Sequence, residues 1–504
     1  MSKPPRQPVR WPSKAVENGS PNPTALEGHR KSVREPCCAE HLIRRTFLSR
    51  TTAGLGLAAL HGLSNIESAQ ASSPANPLMP HFAPRAKRVI YLFMSGGPSQ
   101  METFDPKPAL TKHHGEPLPE SIRQGQRLTS MTSGYDPKIA KSDHKFARFG
   151  DAGHEMNVLF KNLSQMADDL TIIRSMHTDP INHDPAVTFI QTGSGLEGRP
   201  SIGSWLSYGL GSMNRDLPEF VVLVSSGGQP LLTRYWHNGF LPSRHQGVQF
   251  QSQGDAVLFL SNPPGVDMEN RGKLIQRIND LNRIRIQTVG DPEIETRINA
   301  FELAYRMQSS VPELMNLSNE TQSTLEMYGA EPGKASFANN CLLARRLAEQ
   351  GVRFIQLYDR GWDHHGAVAT GIRNKISQVD KPLAALLADL KQRGMLDDTL
   401  VVCGGEFGRT SYSQHNRGKE YGRDHHPRAF SIWMSGGGIR PGMNYGRTDE
   451  FGYNVVENPV HVHDFQATLL HCLGLDHERL TFRYKGRDFR LTDVHGNVVH
   501  DLLA

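Results

Sequence analysis

Cysteine is scarce in this sequence. It has five among 504 residues, and Cys37 and Cys38 lie in an N-terminal segment that we expect to be removed. The other three, Cys341, Cys403 and Cys472, are an odd number and contain no CxxC spacing. This pattern argues against a disulfide framework and against a cysteine-rich zinc site. It predicts buried cysteines that act as small apolar side chains.

The sequence also lacks an excess of charge outside its N-terminal part. The net charge is +5, and residues 1–71 account for all of it with ten Lys or Arg and five Glu. The remaining residues hold 46 basic and 46 acidic side chains. A chain that is neutral after residue 71 has no general attraction for a phosphate backbone. We therefore predict no nucleic-acid partner.

The N-terminal segment has no apolar run long enough for a permanent membrane span. The apolar stretch 52–63 is 12 residues long, whereas a membrane helix needs about 20. It follows Arg44-Arg45 and precedes Ala69-Gln70-Ala71, a pattern that resembles a twin-arginine export signal. An ordinary amphipathic helix is the alternative. The sequence thus predicts a disordered basic leader at 1–43, a signal peptide at 44–71, a Pro-rich linker at 72–85 and a periplasmic or extracytoplasmic location.

The chain after residue 85 contains short apolar runs that end in glycine, serine or charge. They lie at 87–97, 170–176, 219–226, 352–359, 399–405 and 430–438. Helical patterns lie between them at 156–169, 201–211, 339–351 and 380–396. This alternation predicts an α/β fold, in which helices cover both faces of a mostly parallel central sheet as a three-layer α/β/α domain over 86–504. The charged helical segment at about 266–325 predicts an insertion that forms a lid or an oligomer contact; the oligomeric state is left open.

Acidic and imidazole side chains lie near the ends of several predicted strands. In parallel sheets, ligands bind outside the carboxyl ends of the strands, and carboxylate with imidazole is a ligand set for divalent transition metals. The Gly96-Gly97 turn favours an anion, as does the predicted helix start at His183. Capped turns and buried hydrogen bonds are the alternatives. The candidates are Gly96, Gly97, Asp105, His183, Asp184, Asp363, His364, His365, Glu406, Asp424, His425 and His426.

Several motifs in a fixed order resemble a bacterial family catalogued as domain of unknown function 1501. They include MSGGPSQMETFDPKP, INHDPAVTFIQTGSG, GWDHHG, GEFGRT, GRDHHP and HVHDFQATLLHCLGLDH, and the resemblance covers most of the chain after about residue 86. That family is similar to the alkaline phosphatase and sulfatase superfamily. The resemblance therefore implies an alkaline phosphatase-like fold and metal-assisted hydrolysis or transfer of phosphate and sulfate esters.

The resemblance also implies roles for individual residues. The implied metal ligands are Asp363, His365, Glu406 and His426, with His425 as the alternative to His426. His183 and Asp184 occupy the position of the nucleophile. Gly96, Gly97, Asp105, His364, Asp424 and His425 would surround the ion or bind the anion.

The chain departs from the superfamily pattern at three positions. Phe407 replaces a metal ligand, Ser95-Gly96-Gly97 replaces an Asp after the first strand, and no Ser, Thr or Cys occupies the nucleophile position. We therefore expect at most one well-held divalent ion (Zn, Mn or Ca), with attack by water that the metal or His183 activates.

The sequence thus predicts an exported protein that hydrolyses a sulfate or phosphate ester on a small molecule or a polysaccharide. A non-catalytic protein that binds an anion or a glycan on the same fold is the alternative, and a metal-dependent mutase or isomerase is a third reading.

Overall fold

The structure is a computed structural model that describes residues 79–126, 128–129, 131–134, 136–225, 227, 231–251, 256–257, 260–262, 265–414 and 420–504. The predicted leader at 1–43, the signal peptide at 44–71 and the first half of the linker at 72–85 lie outside the described residues. These three assignments therefore stay predictions.

The described residues form a central sheet and several two-stranded sheets, joined largely by helices. In chain order the strands are β1 (Arg88–Met94), β2 (Phe146–Phe149), β3 (His154–Asn157), β4 (Thr171–His177), β5 (Phe220–Ser225), β6 (Val248–Phe250), β7 (Phe354–Asp359), β8 (Thr399–Gly404), β9 (Gly408–Ser413), β10 (Arg423–His426), β11 (Phe430–Ser435), β12 (Met443–Tyr445), β13 (Arg447–Thr448), β14 (Val455–Glu457), β15 (Val460–His461), β16 (Phe482–Tyr484) and β17 (Arg487–Phe489). The α-helices are α1 (Gln100–Thr103), α2 (Pro108–Lys112), α3 (Glu120–Arg123), α4 (His183–Thr192), α5 (Ile202–Leu210), α6 (Met268–Val289), α7 (Pro292–Met315), α8 (Gln322–Tyr328), α9 (Phe337–Glu349), α10 (Val368–Gln392) and α11 (Val462–Cys472).

The central sheet is mostly parallel. Its order is β12-β4-β11-β8-β1-β7-β5-β6, with β15 beside β4. Strand β1 pairs in parallel with β7 and β8, and β5 pairs in parallel with β6 and β7. Strand β11 runs antiparallel to its neighbours β4 and β8. The predicted α/β fold is confirmed, and the six apolar runs are the strands β1, β4, β5, β7, β8 and β11.

Helices cover both faces of this sheet because the side chains of each strand point alternately to the two sides. From β1, Ile90 and Leu92 join a core with residues of α9 and α10. Val89 and Tyr91 join a second core with residues of α4, α5 and α11. The cysteines at 341, 403 and 472 are buried and free in these cores. Because β1 is buried on both faces, helices pack on each side of the sheet and the domain has three layers.

Two local features bear on the sequence analysis. The helix expected at 156–169 is wrong, because its first residues belong to β3 and only 163–169 form a 3₁₀ helix. Two long helices, α6 and α7, lie where the insertion at about 266–325 is expected, and Asp267 and Asp291 cap their N-termini. In the part of the chain that the structure describes, no helix is both long and apolar enough to cross a membrane.

The strand directions bring distant loops to one edge of the sheet. Strands β1, β4, β7 and β8 all end at this edge, and the antiparallel β11 begins there. The segments that follow β4, β7 and β8, together with the segment that precedes β11, carry the acidic and imidazole side chains singled out above. The fold therefore places them around a common point.

Candidate metal centre

Four side chains from three segments meet at that edge. His183 is the first residue of α4, Asp363 and His365 lie in the loop between β7 and α10, and His425 lies in β10. One ligand atom from each of the four lies within 4.8 Å of the other three. Among the described residues, this is the group with the donor types and spacing of a metal site.

The centre of the group is one carboxylate oxygen, Oδ1 of Asp363. It lies 2.8 Å from Nε2 of His365, 3.2 Å from Nε2 of His183 and 3.5 Å from Nε2 of His425. The Nε2 atoms of His365 and His425 are 3.0 Å apart. Ligands of a tetrahedral ion at about 2.1 Å are separated from one another by about 3.4 Å. These four separations, between 2.8 Å and 3.5 Å, are close to those within a tetrahedral ligand set.

Each of the three imidazoles is held at its other ring nitrogen by an oxygen. Nδ1 of His183 lies 2.6 Å from Oε1 of Glu406, Nδ1 of His425 lies 3.0 Å from the carbonyl oxygen of Ile181, and Nδ1 of His365 contacts Oε1 of Gln414. A carboxylate and a carbonyl only accept, so Nδ1 carries the proton in these hydrogen bonds. The lone pairs on Nε2 of His365 and His425 then face each other and Asp363. This arrangement is repulsive unless a proton or a metal cation lies among them.

Glu406 is a supporting residue in this geometry. Its side chain is fully buried after β8, and it accepts from Nδ1 of His183 and from the backbone N–H of Gly96, at 3.0 Å and 3.2 Å. Gly96 has a φ of +122°, and a Cβ there would lie 2.5 Å from the backbone nitrogen of Asp363. The N–H of Gly96 that we expected to bind an anion is thus used by Glu406. The carbonyl oxygen of Gly97 accepts a hydrogen bond from Nε of Arg409 at 2.8 Å.

A buried arginine neutralises the central carboxylate. Arg409, which is 1% exposed, donates from Nη2 to Oδ1 of Asp363 and to the carbonyl of Gly96. It also donates from Nη1 to the carbonyl of Arg423 at 3.1 Å. Burial raises the pKa of Asp363, but the three imidazoles and Arg409 outweigh this effect and hold that pKa well below its usual range. Asp363 is therefore ionised.

The imidazoles differ in how readily they are protonated. Burial lowers the pKa of His183, but the carboxylates of Asp363 and Glu406 beside its ring raise it to about 9. His183 must give up this proton before its Nε2 can act as a ligand. Burial, together with Arg409, lowers the pKa of His425 to about 4, although Asp363 opposes this shift. His425 is therefore neutral at physiological pH and ready to act as a ligand.

The geometry changes two of the four ligands implied by the resemblance. His426 lies outside the group: its Nε2 contacts the carbonyl of Tyr453 at 2.5 Å, and its ring stacks on Tyr453. Successive residues of a strand face opposite sides, so β10 directs His425 to the centre and His426 away from it. Glu406 lies behind His183. The assembled set is His183, Asp363, His365 and His425, and the metal role of each residue remains a prediction.

The other candidates lie around this group in separate interactions. Asp424 accepts from Thr132 at 3.0 Å and from the backbone of His425 at 2.8 Å. His364 lies outside the group, and its pKa is lowered to about 4 by burial and by Arg409. Asp105 is buried and pairs with Lys107 at 2.9 Å. Asp184, which we expected beside His183 in the reaction, contacts Arg234 and accepts from the hydroxyl of Tyr235 at 3.0 Å.

The group is open to solvent on one side. The side chains of His183, Asp363 and His365 are 21%, 22% and 27% exposed, whereas that of His425 is 5% exposed. An ion in the group is therefore accessible to a ligand from outside. A separate cavity of about 720 Å³ is lined by Ile181, whose carbonyl holds His425, and by Pro427 and Arg428, but by none of the four side chains of the group.

Two residues of the centre have no signal in the sequence analysis. Arg409 lies in β9 and Gln414 follows this strand directly. Strand β9 is polar and pairs with β10. Strand β9 is buried although its sequence, GRTSYS, is polar. The sequence motif GEFGRT includes Arg409, but only the pairing of β9 with β10 places its guanidinium against Asp363.

Fold and site together define an α/β protein with a candidate centre for one divalent ion. The chain belongs to the family described as protein of unknown function (DUF1501), whose model matches residues 86–503. The family predicted from the sequence motifs is thereby confirmed. No curated protein matches the chain.

Solved structures of three hydrolases are similar to this chain at a low level. A mutant of the alkaline phosphatase TAB5 with Mg bound has a TM-score of 0.31 and 11% identity, over 78% of this chain and 99% of that chain. A phosphonate monoester hydrolase from Silicibacter pomeroyi has a TM-score of 0.31 and 11% identity, over 77% and 73%. The PsFucS1 sulfatase from Pseudoalteromonas sp. has a TM-score of 0.32 and 11% identity, over 78% and 68%. With TM-scores this low, none of them transfers a residue's role to this chain.

Proposed function

We propose that the chain is a metal-dependent hydrolase that acts on sulfate or phosphate esters. The observation that carries this proposal is the convergence of three Nε2 atoms on Oδ1 of Asp363, with each Nδ1 fixed by an oxygen. A divalent ion bound there lowers the pKa of a bound water and polarises an ester oxygen. Three imidazoles and one carboxylate suit Zn or Mn, whereas Ca prefers six to eight oxygen ligands. We therefore remove Ca from the expected ions.

The charges around the centre favour an anionic substrate. Asp363 is already paired with Arg409, and Glu406 is held by His183 and the N–H of Gly96. These pairings offset the negative charge of the two carboxylates, so a bound divalent ion would leave the group with net positive charge and attract a negatively charged ester. The substrate class we propose is a sulfate or phosphate ester of a small molecule or a polysaccharide.

The four residues of the centre contain no hydroxyl or thiol that could attack the ester. We therefore propose that water is the nucleophile and that Glu406 keeps His183 in the orientation the centre needs. The same lack favours a second candidate function, a non-catalytic protein that binds an anion or a glycan through this centre.

A metal-loading experiment with a substrate screen separates the two functions. Purified protein is loaded with Zn²⁺ or Mn²⁺ and tested with aryl sulfates and aryl phosphates, with the chelated protein as the control. Turnover that appears only with the ion supports the hydrolase. Uptake of one ion with anion binding and no turnover supports the binding protein, and a protein that takes up no ion contradicts both.

We also propose export by the twin-arginine route, directed by residues 44–71. Replacing Arg44 and Arg45 together by lysine keeps the charge but removes the paired guanidinium groups that define the motif. We expect the double variant to stay in the cytoplasm, whereas the wild-type chain is found in the periplasmic fraction. Cell fractionation with immunodetection measures this difference, and equal export of both chains contradicts the proposal.

A further inference from the structure

Arg234 lies against the first turn of α4, the helix that begins with the ligand candidate His183. Arg234 belongs to a 3₁₀ turn, Thr233–Trp236, that packs against α4. Its guanidinium contacts Oδ1 of Asp184, the residue that follows His183, and Oε1 of Glu197. The hydroxyl of Tyr235 donates to the same oxygen of Asp184 at 3.0 Å. Arg234 is therefore held at the first turn of the helix that supplies His183.

Arg234 differs from the other cations near the centre in how firmly it is held. Arg409 and Arg423 are buried, and the guanidinium of Arg409 donates to Asp363 and to backbone carbonyls. Neither arginine is therefore available to bind a ligand. The side chain of Arg234 is 24% exposed, and its partners Asp184 and Glu197 are 53% and 70% exposed. Because both carboxylates are exposed, water and salt weaken their pairing with Arg234. An anionic ligand can therefore replace either carboxylate at small cost.

The chemistry of the guanidinium matches the proposed substrate. A sulfate or phosphate ester presents several non-bridging oxygens, and a planar guanidinium binds two of them at once. The first turn of α4, a ten-residue helix whose N-cap Asn182 makes no side-chain capping bond, adds the positive end of a helix dipole beside His183, although Pro185 in this turn has no N–H. A cation and a helix N-terminus thus flank the residue that contributes Nε2 to the centre.

We propose that Arg234 binds the non-bridging oxygens of the sulfuryl or phosphoryl group and so selects tetrahedral oxyanion esters. This inference rests on the proposed function of the metal centre and adds the residue that recognises the anion. It needs Arg234 to exchange Asp184 or Glu197 for the ligand; it does not need Arg234 to contact the ion.

The test is anion binding to the metal-loaded full-length chain. Inorganic phosphate and inorganic sulfate are titrated separately by calorimetry into wild type, Arg234→Gln and Arg234→Lys. We expect Arg234→Gln to weaken binding of the preferred anion about 10- to 100-fold, because it loses charge-assisted hydrogen bonds. Arg234→Lys keeps the charge and is expected to lose less. The titration that shows the larger loss tells whether the site takes sulfate or phosphate esters.

The matched control is Arg148→Gln. Arg148 is 79% exposed and lies 4.0 Å from Glu155, so its loss removes one positive charge without touching the centre. We expect this variant to bind anions like wild type. We also expect all variants to retain the metal content and the unfolding temperature of wild type. For an active enzyme, KM should rise in Arg234→Gln by more than kcat falls.

Two results overturn the inference. The first is that the Arg234→Gln variant keeps its metal and binds both anions as tightly as wild type. The other is loss of the metal together with the anion in both Arg234 variants, which shows that Arg234 only supports the fold of α4. Failure of the proposed function is seen separately, because in that case the wild-type chain itself takes up no ion.

Discussion

Replacing His365 by alanine is expected to abolish tight metal binding. His365 contributes an Nε2 atom 2.8 Å from Oδ1 of Asp363 and 3.0 Å from Nε2 of His425, so its loss removes one of four ligand atoms. Loss of a residue that only supports a ligand lowers metal affinity about 10- to 100-fold, and loss of the ligand itself should exceed that. Zn²⁺ affinity by chelator competition and metal content after dialysis measure the effect.

The same loop supplies the control for this prediction. His364→Ala changes the adjacent imidazole, which lies outside the group. We expect it to keep wild-type metal affinity. Glu406→Gln and Gln414→Ala should fall between the two, with losses of about 10- to 100-fold, because these residues hold Nδ1 of His183 and of His365. Equal losses in His364→Ala and His365→Ala would contradict the proposed ligand set.

Replacing Arg423 by methionine is expected to destabilise the fold by about 3–5 kcal/mol. Arg423 and Glu102 form a buried pair in which Nη2 of Arg423 lies 2.9 Å from Oε1 of Glu102 and the side chains are 0% and 1% exposed. The guanidinium also donates to the carbonyls of Thr410 and Ala140, at 3.0 Å and 2.9 Å. Its loss leaves a carboxylate without a counter-charge in the protein interior. Chemical denaturation measures the change in the free energy of unfolding.

Two further variants separate the buried charge from other effects. The double change Arg423→Met with Glu102→Met removes both charges, so it should recover part of the lost stability. Glu457→Ala breaks the exposed pair with Arg447, whose side chains are 53% and 69% exposed, and should cost less than about 1 kcal/mol. A double variant less stable than Arg423→Met would show that the uncompensated carboxylate is not the cause.

The central strands could be read from the sequence because they are buried on both faces. Such strands are nearly continuous apolar runs, as in β1, β7 and β8. The antiparallel direction of β11 could not be read, because direction is set by long-range pairing and not by local pattern. Strands β9 and β10 were missed because their buried side chains are polar and are satisfied by distant partners.

The candidate site could be located from the sequence to the level of segments but not of single atoms. Asp363, His365 and Glu406 were singled out at strand ends, and the structure brings all three to one edge of the sheet. The choice between His425 and His426 depends on which face of β10 each one occupies, and one residue of register reverses it. His183 was expected at the nucleophile position, and only the packing of α4 shows that its Nε2 faces Asp363.

The measurement that tests the central claim most directly is anomalous diffraction from crystals of the Zn²⁺-loaded protein. We expect one anomalous peak per chain, about 2.0–2.2 Å from the Nε2 atoms of His183, His365 and His425 and from a carboxylate oxygen of Asp363. A peak held by other side chains, or no peak after loading at micromolar Zn²⁺, would contradict it.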